Sequence, residues 1–394
     1  MKWNSKFFKL AIGILFLNLL LRFSTLWTPI INIEEAHLSL LANGIIENGL
    51  SAINSIASTP IGLSFFFVLI FKIFGHDNMI ALHGILILWT TLTSLICFGI
   101  AKRVYGERVG IIAAVLFTLF STSYKSDFIA TSSTLLMILP LSLSFYYLIG
   151  WAHNTKLRSL WLSGFLFGIA CLFEYHTIIY LVSIAILSLF ITPLVKGISH
   201  FITGLKCTIH FLLGLALLFL LCLVAVFALD LWGNLDHLIL NTIFDQQVFL
   251  ISNRVINALH EMAWFIPATI FIWYFGIREC LRFSGENLLQ IFLINWFCFS
   301  LLVVLIAYTT ESYHLIQILP PLCILAAKSV SEFFSWLANA RPVRLKHQII
   351  YSVFLAFLLI PAIVALGFRT GGDVIKEMIG KFNHIPSDAL RKID

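Results

Sequence analysis

The sequence has little charge and long stretches with none at all. Only 11% of its 394 residues are charged and 60% are hydrophobic, whereas a soluble domain carries about 25% charged residues. A soluble domain, a disordered chain and a collagen-like chain are therefore excluded. The sequence contains apolar runs of about 20 residues, which is the length of one helical crossing of a bilayer. It lacks the alternation of apolar and polar residues that is typical of an outer-membrane barrel. The sequence predicts an all-α polytopic membrane protein.

Several site signatures are missing as well. The seven cysteines lie in or beside apolar segments and contain no C-x-x-C pair, so disulfides and a structural zinc are not expected. The histidines contain no H-x-H or H-x-x-x-H pair, which makes a catalytic divalent metal the less favoured alternative. The net charge of +6 comes from basic residues scattered over short loops. This distribution argues against a nucleic-acid site and points to membrane topology.

Eleven apolar segments are predicted to be membrane-spanning helices. A further apolar segment, 60–75, is only sixteen residues long and carries Lys72. If this segment lies along the membrane surface, most Lys and Arg residues fall in inner loops together with the N-terminus, as the positive-inside rule requires. The predicted spans are 8–27, 79–100, 109–123, 133–152, 159–173, 174–193, 207–230, 262–277, 288–308, 312–334 and 348–368.

We expect residues 1–368 to form a single transmembrane domain. Its two longest outer loops are residues 28–78, which include the surface segment, and residues 231–261. Their apolar content argues against disorder, and loops of this length are usually functional. Residues 369–394 form a short outer tail whose apolar residues share one helical face and suit the outer leaflet.

Two adjacent carboxylates in the first outer loop give the clearest signal for chemistry. Glu34 and Glu35 open an apolar helix, on which Glu34 and His37 share a face and Glu35 points about 100° away. One carboxylate can therefore act while the other supports it. A carboxylate buried beneath such a helix is suited to be a general base. The alternative is purely structural, because acidic residues favour the first turn of any helix.

Several short motifs follow one another in a fixed order between residues 15 and 330. They are Leu21-Arg22-Phe23, Glu34-Glu35-Ala-His37, Thr59-Pro60-Ile-Gly-Leu63 with Ile-Phe-Gly75, Ala101-Lys-Arg-Val-Tyr-Gly-Glu-Arg108, Leu-Ser-Gly164-Phe-Leu-Phe-Gly168, and Tyr313-His314-Leu-Ile-Gln-Ile-Leu-Pro320-Pro321. Each motif is weak alone, but together they resemble the GT-C glycosyltransferases. Within that superfamily they are most similar to the protein mannosyltransferase and aminoarabinose transferase group.

The resemblance implies an inverting enzyme that transfers a sugar from a polyprenyl-phosphate carrier to an acceptor on the outer face of the membrane. We expect a bacterial inner membrane with a periplasmic active site. The acceptor would be an envelope glycan, lipid A or its core in lipopolysaccharide, another lipid, or a protein. Glu34 falls where the family has its catalytic Asp, and Glu35 adjoins it. A second acidic residue of the family has no clear match, and Asp127 lies nearest to its position.

The resemblance leaves open which cation binds the donor phosphate. Arg254 is the first choice, because its planar fork suits phosphate. Where the family often has Arg and Lys, this chain has His83 and the stretch Phe173-Glu174-Tyr175-His176. Arg22, inside a predicted span, is either a structural tether or a ligand. The remaining candidates for substrate binding are His37, Lys72, Lys125, Glu174, His176, His314 and Gln317.

Two other functions stay open from the sequence. One is a transporter or flippase for a lipid-linked sugar, which would keep ionisable residues near the midplane on broken helices, often in inverted repeats. Here the acidic residues cluster at the outer helix ends and no repeat is visible. The other is an O-antigen polymerase, which would be expected to use a large outer loop rich in Arg. The acidic cluster favours the transferase.

Overall fold

The computed structural model describes residues 5–28, 30–49, 60–122, 126–154, 156–191, 201–228, 251–283, 287–307 and 312–339. This part of the chain is helical and contains no strand. Its helices are α1 (Ser5–Arg22), α2 (Ile33–Asn48), α3 (Ile61–Phe74), α4 (Met79–Tyr105), α5 (Glu107–Phe120), α6 (Ser133–Asn154), α7 (Leu157–Phe173), α8 (Tyr180–Ile186), α9 (Phe201–Ala228), α10 (Ile251–Ala268), α11 (Ile270–Leu281), α12 (Gln290–Ala307) and α13 (Leu319–Asn339). Short 3-10 helices lie at Phe23–Leu26, Ser126–Phe128, Tyr175–Ile179 and Ser312–Ile318.

The predicted all-α membrane architecture is confirmed. By length and composition, five described helices can cross a membrane, and α10 with α11 adds a sixth crossing if the bent pair counts as one span. The number eleven stays a prediction, because it includes shorter helices and the segment 348–368. That segment and the tail 369–394 lie outside the described residues. The five long helices are Phe7–Leu26, Met79–Tyr105, Ser133–Asn154, Gly204–Val224 and Ser312–Leu337.

The predicted continuous span 262–277 is wrong, because α10 and α11 meet at an angle of 98°. Pro267 lies inside the last turn of α10, where it has no N–H to donate and its ring clashes with the carbonyl four residues earlier. The helix ends one residue later. It begins at Ile251, so residues 251–261 of the predicted outer loop are helical.

The predicted span 174–193 is also irregular. It starts as the 3-10 helix Tyr175–Ile179, continues as α8 and ends as a π-helix at Leu187–Ile191. Glu174 therefore lies in the connection after α7 rather than inside a regular helix. Residues 192–193 lie outside the described part of the chain.

Glycines allow α7 and α9 to cross in direct backbone contact. A Cβ atom on Gly164 would lie 1.9 Å from the carbonyl oxygen of Phe211, and one on Gly214 would lie 2.1 Å from the carbonyl oxygen of Trp161. Both distances are far below a normal van der Waals contact. The Gly164 motif noted in the sequence therefore serves helix packing.

The bundle has two ends, which α4 connects. This helix runs for 27 residues, about 40 Å, and α5 returns after a turn at Gly106, whose φ of +102° favours glycine. We call the end at the start of α4 the polar end and the end at Gly106 the far end. The starts of α2 and α6 and the ends of α1, α5 and α7 meet at the polar end.

Candidate active site at the polar end

The start of α2 holds the two acidic residues. Asn32 caps the helix, with its Oδ1 accepting the backbone N–H of Glu35 at 2.9 Å. The Glu35 side chain is completely buried. Its Oε2 accepts the N–H of Ile31 at 2.9 Å, and its Oε1 accepts the N–H of Thr131. Backbone donors thus engage both oxygens of Glu35, whereas Glu34 is half-buried.

His83 joins α4 to the same carboxylate. Its ring is buried, with Nε2 lying 3.3 Å from Oε1 of Glu35 and Nδ1 lying 2.7 Å from the carbonyl oxygen of Thr25. A second set of contacts lies further along α2, where Ser39 and Asn43 each donate a hydrogen bond of 2.6 Å to Asp77. Together these contacts fix the direction of α2 against the start of α4.

Arg22 ties the loop before α6 to the end of α1. The buried guanidinium donates to the carbonyl oxygens of Ile129, Phe128 and Ser121 at 3.1–3.3 Å. All three acceptors are backbone groups, so this geometry supports the tether rather than the ligand among the two roles expected for Arg22. The loop that Arg22 holds also contains Thr131, whose N–H donates to Glu35.

A second polar group forms on the other side of the segment Thr131–Thr134. Ser133 donates to Oε2 of Glu174 at 2.6 Å, and Nδ1 of His176 donates to Oε1 of the same carboxylate at 2.9 Å. Thr134 lies 3.3 Å from Nδ1 of His314, and the rings of His176 and His314 are perpendicular with centroids 6.4 Å apart. One short segment therefore contacts both Glu35 and the Glu174 group.

The charge of Glu174 is stabilised by its neighbours. Burial alone would raise the pKa of this carboxyl. The hydrogen bond from His176, the charges of His314 and His176, and the hydrogen bond from Ser133 outweigh burial and bring the pKa to about 2. Glu174 is therefore a carboxylate at neutral pH and fixes a hydrogen on Nδ1 of His176.

Two other predicted site residues have structural partners. Gln317 is buried, with its Oε1 3.0 Å from the hydroxyl of Tyr180. Asp127 is half-buried and accepts a hydrogen bond of 2.6 Å from Ser312. This contact joins the loop before α6 to the 3-10 helix that carries His314.

The remaining candidates are placed as follows. His37 is exposed on α2, and Lys72 is exposed in the last turn of α3. Lys125 and the side chain of Arg254 lie outside the described residues. Within the described ranges, no three His, Cys, Asp or Glu side chains come close enough together to hold a metal ion.

The sequence did not identify His83 or the hydroxyl residues before α6 as site residues. In the sequence, His83 stands out only as a departure from the family pattern. The available signal for the second group was the run Thr131-Ser-Ser-Thr134, whose hydroxyls suit the start of a helix. Their partners are 41 to 180 residues away, so no local pattern predicts them.

Part of the chain matches a known family, and the fold is similar to that of solved structures. Residues 58–228, which include α3 to α9, match the family described as dolichyl-phosphate-mannose-protein mannosyltransferase. The fold is similar to the archaeal oligosaccharyltransferase AglB from Archaeoglobus fulgidus in complex with an inhibitory peptide and a dolichol-phosphate, with 13% identity and a TM-score of 0.55. The family match, which covers less than half of the chain, and the similar fold agree with the resemblance to the GT-C glycosyltransferases.

The likeness to AglB extends over nearly the whole chain. The match to the peptide complex covers 92% of this chain and 56% of AglB. A second structure of the Archaeoglobus fulgidus oligosaccharyltransferase, tethered to an acceptor peptide through a disulfide, has 10% identity and a TM-score of 0.57, and the match covers 98% of this chain and 58% of that one. The chain thus spans somewhat more than half of these relatives. No curated protein sequence matches it.

Proposed function

We propose that this protein is a GT-C glycosyltransferase that transfers a sugar, with inversion, from a polyprenyl-phosphate donor to an acceptor on the outer face of a bacterial inner membrane. The family match, named for dolichyl-phosphate-mannose, supports a lipid-linked donor, as does the dolichol-phosphate in the AglB complex. The acceptor is an envelope glycan, a lipid or a protein. Carbohydrate hydroxyls and protein side chains both offer a nucleophile that needs a base.

The observation that carries the mechanism is the difference between the two adjacent acidic residues. Glu35 is buried, and its oxygens are held by the N–H groups of Ile31 and Thr131 and by His83. A base must approach a proton within about 3 Å, and Glu35 has no exposed surface for that approach. Glu34 is half-buried at the same helix start. This contrast supports Glu34 as the base and Glu35 as its support.

The reaction then runs as a single displacement. The acceptor oxygen attacks the anomeric carbon and passes its proton to the carboxylate of Glu34. The bond between the anomeric carbon and the phosphate oxygen breaks, and polyprenyl phosphate leaves with the electron pair. Asp127 is the next candidate for the base, since it lies on the loop that Arg22 and Glu35 hold in place.

The leaving phosphate requires positive charge or N–H donors. His176 is our candidate for this role, because the carboxylate of Glu174 accepts a hydrogen bond from its Nδ1 and orients its ring. His314 lies beside it. Arg254, Lys72 and Lys125 are the other proposed contacts for the phosphate.

We place donor entry beside α3. The start of this helix meets the Glu174 connection, because the N–H of Ile61 donates to the Tyr175 hydroxyl at 3.0 Å. Its other end exposes large apolar side chains, Leu69, Ile73 and Phe74. An apolar surface that leads to a polar site suits a lipid with a charged head group.

The test is turnover of a Glu34→Gln variant in lipid nanodiscs with a panel of polyprenyl-phosphate sugars, beginning with mannose and aminoarabinose. The amide keeps the shape but not the basicity, so turnover should fall by about 10² to 10⁴, while polyprenyl phosphate still binds in native mass spectrometry. Glu47→Gln, at an exposed position of the same helix, is the matched control and should keep wild-type turnover. Near-wild-type transfer by Glu34→Gln would rule out Glu34 as the base.

A further inference from the structure

His83 lies between two oxygen atoms, and this arrangement defines where its hydrogens are. Its Nδ1 is 2.7 Å from the carbonyl oxygen of Thr25, which can only accept, so Nδ1 carries a hydrogen. Its Nε2 is 3.3 Å from Oε1 of Glu35. A lone pair on Nε2 would face the lone pairs of a carboxylate. A proton therefore lies between the two side chains, either on His83 or on Glu35.

The surroundings of Glu35 favour the carboxylate. Two backbone N–H groups, from Ile31 and Thr131, point at its oxygens, and hydrogen bonds of this kind stabilise the ionised form. Glu35 also lies in the first turn of α2, where the helix dipole stabilises negative charge. The proton consequently belongs to the imidazole.

We propose that His83 is an imidazolium in the assembled site and acts as a positioning residue that holds Glu35, and through it the neighbouring Glu34, in the working geometry. The pair is electrically balanced, and both members are almost completely buried. Loss of the proton would leave a carboxylate facing an imidazole lone pair, and the start of α2 would lose its contact with α4. The effect on sugar transfer rests on the proposed function, whereas the protonation state does not.

The other charged groups around His83 have their own partners. Glu35 on α2 is the carboxylate that faces the ring. Arg22, at the end of α1, points its guanidinium at the carbonyls of the loop before α6. Asp77, just before α4, accepts hydrogen bonds from Ser39 and Asn43. Glu35 is therefore the counter-ion of His83.

The first test reads the protonation state directly. The protein is labelled with ¹⁵N-histidine and studied in nanodiscs by solid-state NMR at neutral pH, and the signals of His83 are those that vanish in His83→Gln or, if that variant does not fold, in His83→Arg. Two protonated ring nitrogens are expected. A non-protonated ring nitrogen for His83 would overturn the proposal, whether or not the protein transfers sugar.

The second test separates positioning from simple space filling. His83→Arg keeps a positive charge and several donors, so it should retain turnover. His83→Gln, which is closer in size, should lose about 10²-fold in turnover with little change in KM. His153→Gln, at an exposed position of α6, should match the wild type. A His83→Arg variant with lower turnover than His83→Gln would refute the positioning role.

Discussion

The two ends of the bundle use charged side chains in opposite ways. At the polar end Arg22, Glu35 and His83 are no more than 1% exposed, and each is held by named partners. At the far end the pairs Lys102–Glu107 and Arg282–Glu332 are 41–52% exposed. The same residue types are thus part of the interior at the polar end and, apart from the buried Glu279, part of the surface at the far end.

This difference agrees with the proposed active site at the polar end. A buried charge loses its hydration and is tolerated only with well-placed partners, and apolar residues in its place are often as stable. Exposed ion pairs contribute about 0–1 kcal/mol to folding stability and place little restriction on the geometry of the protein. The far-end charges are therefore suited to set membrane topology, while the polar end keeps its charges to hold a geometry.

The largest expected effect is at Arg22. In Arg22→Met three buried carbonyl oxygens lose their donor, and each buried acceptor without a partner costs about 1–3 kcal/mol. Unfolding by denaturant in mixed micelles should show a loss of several kcal/mol. Arg108→Met, which removes an exposed hydrogen bond to Ser335 at the far end, should change stability by less than about 0.5 kcal/mol. Equal losses in the two variants would contradict the comparison.

The next effect concerns Glu174 and pH. Because its pKa is depressed to about 2, its ionised form stabilises the fold above the ordinary carboxyl pKa, and this contribution disappears as the pH falls towards 2. Glu174→Gln should be less stable than the wild type at pH 7 by up to about 3 kcal/mol. The gap between their thermal midpoints should close between pH 4.5 and 2. A gap that does not depend on pH would show that the charge of Glu174 is not the stabilising feature.

A smaller effect is expected at Ser312. Its hydroxyl donates to Asp127, and a hydrogen bond to a half-buried carboxylate contributes about 1–2 kcal/mol. Ser312→Ala should lower stability by that amount in the same denaturant assay. Ser335→Ala at the far end is the matched control and should have almost no effect. The comparison between the ends would fail if the control lost as much.

The smallest effect is expected at Glu332. Its carboxylate is paired with both Arg282 and Lys328, but all three side chains are partly exposed. Glu332→Gln should cost less than about 1 kcal/mol, and added salt should shrink the difference further. A loss that persists at high salt would show that the far end also depends on its charges.

Local patterns in the sequence predicted the helices better than the site. Apolar length located α4 and α6 to within a few residues at their starts, because burial in a membrane requires such runs. The bend after Pro267 was not predicted, since a proline near a helix end either kinks the helix or stops it. The contacts Glu35–His83 and Ser133–Glu174 join residues far apart in the chain. They follow from tertiary packing, which periodicity does not encode.

The roles of Glu34 and Glu35 could be predicted only in part from the sequence. Helical spacing separated Glu34 from Glu35 and predicted that one acts while the other supports. Which residue does which could not follow from spacing, because it depends on donors from Ile31, Thr131 and His83. The assignment of Glu34 as the base stays a prediction that turnover will test.

The glycine crossing of α7 and α9 also bears on the route by which a lipid reaches the protein interior. At Gly164 and Gly214 not even a methyl group fits between the two backbones. A prenyl tail is thicker than a methyl group along its whole length, so this seam is closed to it. The crossing is therefore closed, and the proposed lipid donor would have to enter between other helices.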